Sequence, residues 1–278
     1  MVSVKLRDFL VFFGRPTQRI GCCLVLFVLA VVSSPVSAGE TSLGPLPKVR
    51  RPFAPGEKLT YIISWSDILN AGTAVMEVRK ERSTAKTEEV RFVSSARSTG
   101  MLDKFYSVRD VVQSVFDVTL RQSLSYAMDQ KHGKRKKQRE ALFDQDHQKV
   151  TFRENGVQEV LNAPKQTQDA LSSLYYLRMS DDLVPGRTIT VNVFDGGKNW
   201  TVDILVLSKE QIKTPAGDFR TIKVQTYPKY EGVFMHKGEI FIWITDDDRR
   251  VPVLMKSTIT IGSIMATLTE MKAGVAGE

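Results

Sequence analysis

Hydrophobic and polar residues alternate with a period of two along most of the chain after residue 56. In EKLTYIISW, the residues Leu59, Tyr61, Ile63 and Trp65 fall on one face of an extended segment, which is typical of a half-buried β-strand. The next segment, ILNAGTAVMEV, contains an Asn-Ala-Gly turn and then resumes the alternation, as in a hairpin. Similar runs recur to the end of the chain and predict a long series of antiparallel strands.

One segment has helical spacing instead. TQDALSSLYYLRM, residues 167–179, repeats apolar residues at Leu171, Leu174 and Leu177, which indicates an amphipathic helix. Arg178 lies near this stripe, where it either reaches solvent by its stem or meets a buried acid. A curved sheet has to bury its concave face, and one such helix can do this. The sequence therefore predicts a mainly β fold, a curved antiparallel sheet or incomplete barrel wrapped around one α-helix.

A helix that fills the sheet has testable consequences. Leu171, Leu174 and Leu177 should then be deeply buried. Truncating Leu174 to alanine would cost ~2 to 5 kcal/mol of unfolding free energy in a packed core, whereas the same change on a surface helix would cost under ~1 kcal/mol.

The N-terminal segment has the pattern of a secretory signal peptide. Arginines precede an apolar run at residues 20–32, and small residues at Val36 and Ala38 suit cleavage after Ala38. An uncleaved anchor is the alternative, although the run is short for a membrane span. Cys22 and Cys23 open the apolar run rather than follow it, which argues against a lipoprotein. The mature chain then has no cysteine, which excludes disulfides and thiol chemistry.

Four segments organise the chain. We expect a signal peptide at residues 1–38, an extended lead-in rich in Pro and Gly at 39–56, a single β-rich domain at 57–272 and a C-terminal tail at 273–278. The 240 residues that remain after cleavage (278 minus 38) are enough for one large β domain.

The charge of the chain is modestly basic. The full chain carries +8, and removal of a net +3 with the signal peptide leaves +5. An exported protein of this charge is drawn toward anionic envelope surfaces, such as lipid headgroups, lipopolysaccharide or wall polymers. We therefore expect a periplasmic protein whose partner is a lipid, such a polymer or an envelope protein complex, and not nucleic acid.

The DDDRR segment at residues 246–250 poses the choice between a metal or phosphoryl-transfer site and a turn. It separates two strand-like runs, IFIWIT and VPVLMK, and a short polar connection of this kind is typical of a hairpin. Aspartates accept backbone amide bonds in turns, whereas consecutive residues at a strand end point in different directions and do not converge on a metal. We interpret the segment as a turn.

Catalytic patterns are absent from the sequence. The three histidines lie on separate polar segments without the spacing of a metal site. Nucleophile elbows, phosphate loops and dinucleotide fingerprints are also missing. We expect a protein that is not an enzyme, without cofactor or metal, and assign no catalytic, cofactor-binding or metal-ligating residue.

Two groups of residues are candidates for binding. The basic segment KHGKRKKQRE is either an anion-binding edge or a solvated hairpin whose lysines prevent aggregation; its candidate residues are Lys131, Lys134, Arg135, Lys136, Lys137 and Arg139. Large apolar residues either line a ligand cavity or simply form core; the candidates for cavity lining are Trp65, Leu174, Tyr175, Trp200 and Trp243.

Four segments of the chain together resemble a known family: GEIFIWITDDDRRVPVLMKSTITIGSIMATL, QTQDALSSLYYLR, TPAGDFRTIKVQT and GEKLTYIISWSDILNAGTAVMEV. The family is the bacterial domain of unknown function 3108. The resemblance implies an exported, β-rich envelope protein without an assigned activity, and it supplies no catalytic residues. More loosely, a strand ending in Trp-x-x-Asp, a turn with Pro and a final strand that follows a Gly turn are similar to the periplasmic lipoprotein-carrier fold, a curved half-barrel that encloses a lipid. Fold alone does not establish function.

Two functions therefore stand side by side. The first is a non-enzymatic binding or carrier protein that holds a lipid or other amphiphile inside the curved sheet. The alternative is a structural or interaction module that binds anionic envelope polymers or a membrane complex through the basic hairpin, with binding that weakens as ionic strength rises.

Overall fold

The structure is a computed structural model that describes residues 51–66, 69–83, 87–230, 233–234, 240–259 and 262–275. The predicted signal peptide, most of the lead-in and the end of the tail lie outside these residues. The described residues belong to one compact unit, Val49–Glu278. Among them, no helix combines the length and the apolar character that crossing a membrane requires.

The described strands form one sheet of sixteen. The first eight strands are β1 (Lys58–Trp65), β2 (Leu69–Ser83), β3 (Glu88–Ser98), β4 (Val108–Asp117), β5 (Gln122–His132), β6 (Arg135–Asp144), β7 (Lys149–Glu154) and β8 (Val157–Asn162). The other eight are β9 (Gln168–Asp169), β10 (Thr188–Asp195), β11 (Lys198–Thr214), β12 (Gly217–Tyr230), β13 (Val233–Phe234), β14 (Ile240–Thr245), β15 (Pro252–Ile259) and β16 (Gly262–Lys272). The described part of the chain also contains two helices, α1 (Gly100–Phe105) and α2 (Ala170–Arg178).

The chain folds as two meanders, which are joined where their innermost strands pair. The order is β8-β7-β6-β5-β4-β3-β2-β1-β16-β15-β14-β12-β11-β10-β9, with β13 beside β12. The first strand pairs with the last, so β1 and β16 join the two halves of the sheet. The ladders are antiparallel, apart from the short parallel pair of β9 and β10. The predicted curved antiparallel sheet around a helix is confirmed; the six-residue α1, between β3 and β4, was not predicted.

The two ends of this sheet overlap through side chains. Phe194, from the outer face of β10, packs edge-to-face on Phe143 of β6 and Phe152 of β7, with ring centroids 6.1 and 5.5 Å apart. Arg139 of β6 also donates to the Asp195 carboxylate, at 3.2 Å. Among the described strands, no backbone ladder joins β8 to β9. The barrel is therefore rolled rather than closed.

Helix α2 begins at a capping box. The Asp169 carboxylate accepts hydrogen bonds from the backbone amides of Leu171 and Ser172, at 2.8 and 2.9 Å, while the Ser172 hydroxyl accepts from the Asp169 amide at 2.9 Å. These bonds satisfy amides that the first turn of a helix leaves without partners. The predicted helix is thus present, but it begins at Ala170. Gln168 and Asp169, which were predicted as helical, form β9, and Asp169 is also the N-cap residue.

The two sides of α2 face different halves of the sheet. On one side, the Tyr175 ring stacks on Phe92 of β3, with centroids 3.6 Å apart. On the other side, Leu177 packs into an apolar cluster with residues of β10 to β12 and β14. Leu171 and Leu177 are buried, but Leu174 is only half-buried. The prediction that Leu174 is deeply buried is wrong, because its side chain faces an open groove rather than packed strands.

A buried ion pair fixes the C-terminal end of α2. Arg178 donates to both carboxylate oxygens of Glu57, at 2.7 and 2.8 Å, and both side chains are nearly inaccessible to solvent. The same guanidinium donates to the backbone carbonyls of Pro52 and Arg249, at 3.1 and 3.0 Å. Arg178 therefore meets a buried acid and joins the residues before β1, helix α2 and the turn between β14 and β15.

Candidate ligand groove

A solvent-open groove lies between α2 and the inner face of the sheet half formed by β10, β11, β12 and β14. Its volume is about 470 Å³, within the range of roughly 300–1,000 Å³ typical of small-molecule sites. Its walls are mainly aliphatic and aromatic: Leu174, Leu177, Val191, Trp200, Val202 and Ile242 are among them. The groove is therefore an apolar site that water can reach.

Strand alternation and small helix residues create this space. Val191 and Val193 of β10 face the groove, and Asn192 between them faces the opposite side, as the period of two requires. The helix contributes Ala170 and Ser173 to the same lining. Because these side chains are small, the first turns of α2 leave a gap to the sheet, whereas Leu177 further along fills it.

The groove carries few polar groups. Among the described residues that line the groove, Asp195 is the one ionisable residue, and its carboxylate accepts a hydrogen bond from Arg139. The Ser173 hydroxyl donates to the carbonyl of Ala170, at 2.9 Å, so it is engaged by the helix itself. Trp200 donates through its indole nitrogen to the carbonyl of Asp195, at 3.3 Å, which orients the ring at this end of the groove. The arrangement suits an apolar chain better than a charged ligand.

A second acid, Asp169, is the N-cap residue of α2 and is fully buried. Burial raises the pKa of Asp169, although hydrogen bonds from the hydroxyls of Ser114 and Ser123, both at 2.6 Å, act in the opposite direction. These bonds come from β4 and β5, so Asp169 ties the start of α2 to the inner face of the sheet.

The predicted cavity-lining residues are divided by the structure. Leu174 and Trp200 line the groove. Tyr175 is fully buried on the other side of α2, and Trp243 lies on the face of β14 opposite Ile242, where its indole donates to Glu210 at 2.7 Å.

Trp65, the remaining predicted lining residue, is half-buried at the end of β1, beside Gly262. Trp65, Tyr175 and Trp243 are therefore not among the groove residues. The apolar positions of β10 and β11 were missed; the alternation in ITVNVF and WTVDILVL was the available signal.

Strand alternation also divides the predicted anion-binding residues. Lys131 and Lys136 are a cross-strand pair on the outer face of β5 and β6. Arg135, Lys137 and Arg139 occupy inward positions of β6, and Lys134 lies in the two-residue turn. Lys137 and Arg139 form ion pairs with Glu154, at 3.1 and 3.0 Å. The six residues therefore do not form one surface.

The aspartate-rich segment is a turn in the structure. The Asp247 carboxylate accepts from the Thr245 hydroxyl at 2.6 Å and from the amides of Arg249 and Arg250 at 3.1 and 3.2 Å. Burial favours the protonated acid, but the bond from Thr245 and the side chain and amide of Arg249 outweigh it and lower the pKa of Asp247.

Within the described ranges, no group of three or more His, Cys, Asp or Glu side chains is placed to hold a metal ion. His132 contacts Asp110 and His147 contacts Asp144, each at 2.8 Å. His236 lies outside the described residues.

Comparison with known proteins identifies relatives by family and by fold. The family model described as "Protein of unknown function (DUF3108)" matches residues 60–269, so the predicted family resemblance is confirmed. Among solved structures, the chain is similar to a β-barrel-like protein of domain of unknown function DUF1849 from Brucella abortus, with 12% identity, a TM-score of 0.57, and coverage of 80% of this chain and 99% of that chain. This likeness shows the fold.

Two further solved structures are more distant. A predicted exported protein with a YmcC-like fold from Bacteroides fragilis has 14% identity and a TM-score of 0.37, over 80% of this chain and 97% of that chain. A predicted lipoprotein from Parabacteroides distasonis has 11% identity and a TM-score of 0.39, over 81% of this chain and 100% of that chain. No curated protein matches the sequence.

Proposed function

We propose that this chain, which belongs to the DUF3108 family of proteins of unknown function, is a non-enzymatic carrier or binding protein of the cell envelope that holds a lipid or other amphiphile. The apolar groove beside α2 is the observation that carries this proposal. Leu174, Trp200 and Val202 are half-buried there. An acyl chain in the groove would cover these side chains and remove apolar surface from water on both partners.

The apolar contribution to binding can be estimated from the number of methylenes that the groove would bury. Each buried methylene contributes ~0.8 kcal/mol, so about eight of them would contribute ~6 kcal/mol before the cost of ordering the chain. Asp195, the single ionisable residue among the described groove residues, is paired with Arg139, which suits a ligand whose apolar part enters the groove.

The signal-peptide pattern at residues 1–38 supports export to the periplasm, without lipid attachment. The polar groups of the groove support a role other than catalysis. Ser173 is hydrogen-bonded to its own helix and Asp195 to Arg139. Among the described groove residues, no hydroxyl is held by a general base, which nucleophilic catalysis would require.

Native mass spectrometry of the protein extracted from the envelope tests the proposal, together with titration of a fluorescent fatty acid. Leu174→Trp should fill the groove and weaken fatty-acid binding by more than about tenfold, a change of ~1.4 kcal/mol. Leu142→Trp is the matched control, because Leu142 is 61% exposed on the outer face of β6. Absence of any co-purified lipid, together with equal binding by the wild type and Leu174→Trp, would reject the carrier function.

The alternative, a module that binds anionic polymers through the β5–β6 hairpin, has weaker support. Its six basic residues point in different directions, and Lys137 and Arg139 already form ion pairs with Glu154. Lipopolysaccharide, wall polymers and protein complexes remain predicted partners.

A further inference from the structure

The outer face of the sheet carries four cations in one cross-strand row. Arg97 of β3 lies opposite Arg109 of β4, Arg109 lies opposite Lys131 of β5, and Lys131 lies opposite Lys136 of β6. All four residues are exposed. Neighbouring strands are ~4.8 Å apart, so the row, which we call the basic row, extends for about 14 Å. Its members come from four strands and are not contiguous in sequence.

Like charges directly opposite each other destabilise a sheet. The described acidic neighbours balance the positive charge of the basic row only in part. Asp103 of α1 pairs with Arg109, at 2.7 Å. Arg97 instead donates to the Thr73 hydroxyl, at 3.3 Å. Another acid, Asp129, lies one row away and accepts from Gln138. The row therefore keeps an excess of positive charge that a planar array of anions would balance.

An apolar depression adjoins the basic row on the same face. It has a volume of about 460 Å³, and its lining includes Val75, Ser95 and Val111 together with Arg97 and Arg109. Val111 is 41% exposed. Cations beside exposed apolar side chains match the bilayer interface, where phosphates lie above hydrocarbon. A fully hydrated polysaccharide would not use the apolar part.

We propose that the basic row and this depression dock the protein on the surface of an anionic phospholipid bilayer, through contacts with lipid phosphates. The antiparallel order places the end of β3, the start of β6 and the turn between β10 and β11 at one end of the sheet. Asp195 and Trp200, which flank that turn, belong to the groove. The docking surface is thus at the same end of the sheet as these two groove residues. It goes beyond the carrier function and does not depend on it.

Vesicle co-sedimentation of the purified protein tests the docking surface. The variant Arg97→Gln/Lys131→Gln/Lys136→Gln removes three charges of the basic row and leaves the Arg109–Asp103 pair in place. The matched control Lys149→Gln/Lys165→Gln/Lys213→Gln removes three exposed charges near the opposite end of the sheet. Each protein is mixed with vesicles of phosphatidylglycerol and phosphatidylethanolamine, with vesicles of phosphatidylcholine alone, and with soluble lipopolysaccharide polysaccharide freed of lipid. Circular dichroism establishes that each variant is folded.

We expect the wild type and the control variant to bind the anionic vesicles, with binding that weakens as salt is added. Each charge removed from the row should lower the partition coefficient about fivefold, so the row variant should lose on the order of a hundredfold. Equal losses in both variants would show an effect of net charge alone and overturn the proposal. Unchanged binding by a folded row variant would overturn it, as would binding to the polysaccharide but not to the vesicles. Failure of the carrier function would instead appear as loss of fatty-acid binding with vesicle binding intact.

Discussion

Replacing Arg178 by methionine should destabilise the protein strongly. The substitution keeps most of the apolar stem but removes a guanidinium that makes four hydrogen bonds, two of them to Glu57. Glu57 is then left buried, at 5% exposure, without its counter-ion. Removing one partner of a buried ion pair costs ~3 to 5 kcal/mol. We expect Arg178→Met to fall in this range.

A double-mutant cycle separates the ion pair from the rest of the site. The single variants Glu57→Leu and Arg178→Met each leave one buried charge, whereas the double variant leaves neither. The carbonyls of Pro52 and Arg249 still lose their donor in the double variant, at ~1 kcal/mol each. Each single variant should cost ~3 to 5 kcal/mol and the double variant only ~1 to 3 kcal/mol, so the coupling energy should be at least ~3 kcal/mol, at or above the upper end of the range for residues in contact.

Urea unfolding followed by tryptophan fluorescence and circular dichroism measures these free energies. Asp182→Asn is the matched control, because the Asp182–Arg187 pair is also 2.7 Å long but is more than half exposed on both sides. Its loss should cost ~0 to 1 kcal/mol. A cost below ~1 kcal/mol for Arg178→Met, or single-variant effects that simply add in the double variant, would refute the reasoning.

Three further predictions follow from α2 and from β2. Leu177→Ala should cost ~2 to 5 kcal/mol of unfolding free energy, because Leu177 is 1% exposed; Leu174→Ala should cost clearly less, and equal costs in urea unfolding would contradict the placement of the groove. Burial raises the folded-state pKa of Asp169, so its contribution to stability is complete below the unfolded pKa of about 3.9 and is lost as pH rises through the folded value. Asp169→Asn retains a good N-cap residue and should gain stability relative to the wild type as the pH of the unfolding experiment is raised above about 4; a difference independent of pH would count against this account. Gly72→Ala would bring a Cβ atom to 2.2 Å from the carbonyl oxygen of Arg97. Thermal unfolding should therefore show a loss of ~1 to 3 kcal/mol of unfolding free energy. An unchanged melting temperature would show that β2 and β3 can move apart to admit the methyl group.

Most local signals in the sequence were informative, although the hairpin turn predicted at Asn70, Ala71 and Gly72 is wrong, because these residues lie within β2 (Leu69–Ser83). Alternation located the strands and helical spacing located α2, because burial of one face imposes a fixed period on each element. The turn at Asp247 could also be predicted, since its bonds involve residues within three positions. For Arg178 the sequence left two possibilities, and the choice depended on Glu57, 121 residues away.

The candidate site was harder to predict because it depends on neighbours from distant parts of the chain. A helical stripe identifies Leu174 as apolar but does not show that the small residues Ala170 and Ser173 leave a gap beside it. The basic segment predicted Lys131 and Lys136, but their partners in the row come from β3 and β4. That row depends on the register of three ladders, which a contiguous motif does not contain.

The overlap of the two sheet ends has a consequence for how wide the interior can be. In a closed barrel, the number of strands and their shear together fix the diameter. Here the circumference ends at a seam where Phe194 rests on Phe143 and Phe152, and Arg139 meets Asp195. Larger or smaller side chains at that seam would change the width of the interior, while every strand ladder kept its register. The width of the interior can therefore change by substitutions at the seam alone, without any change in topology.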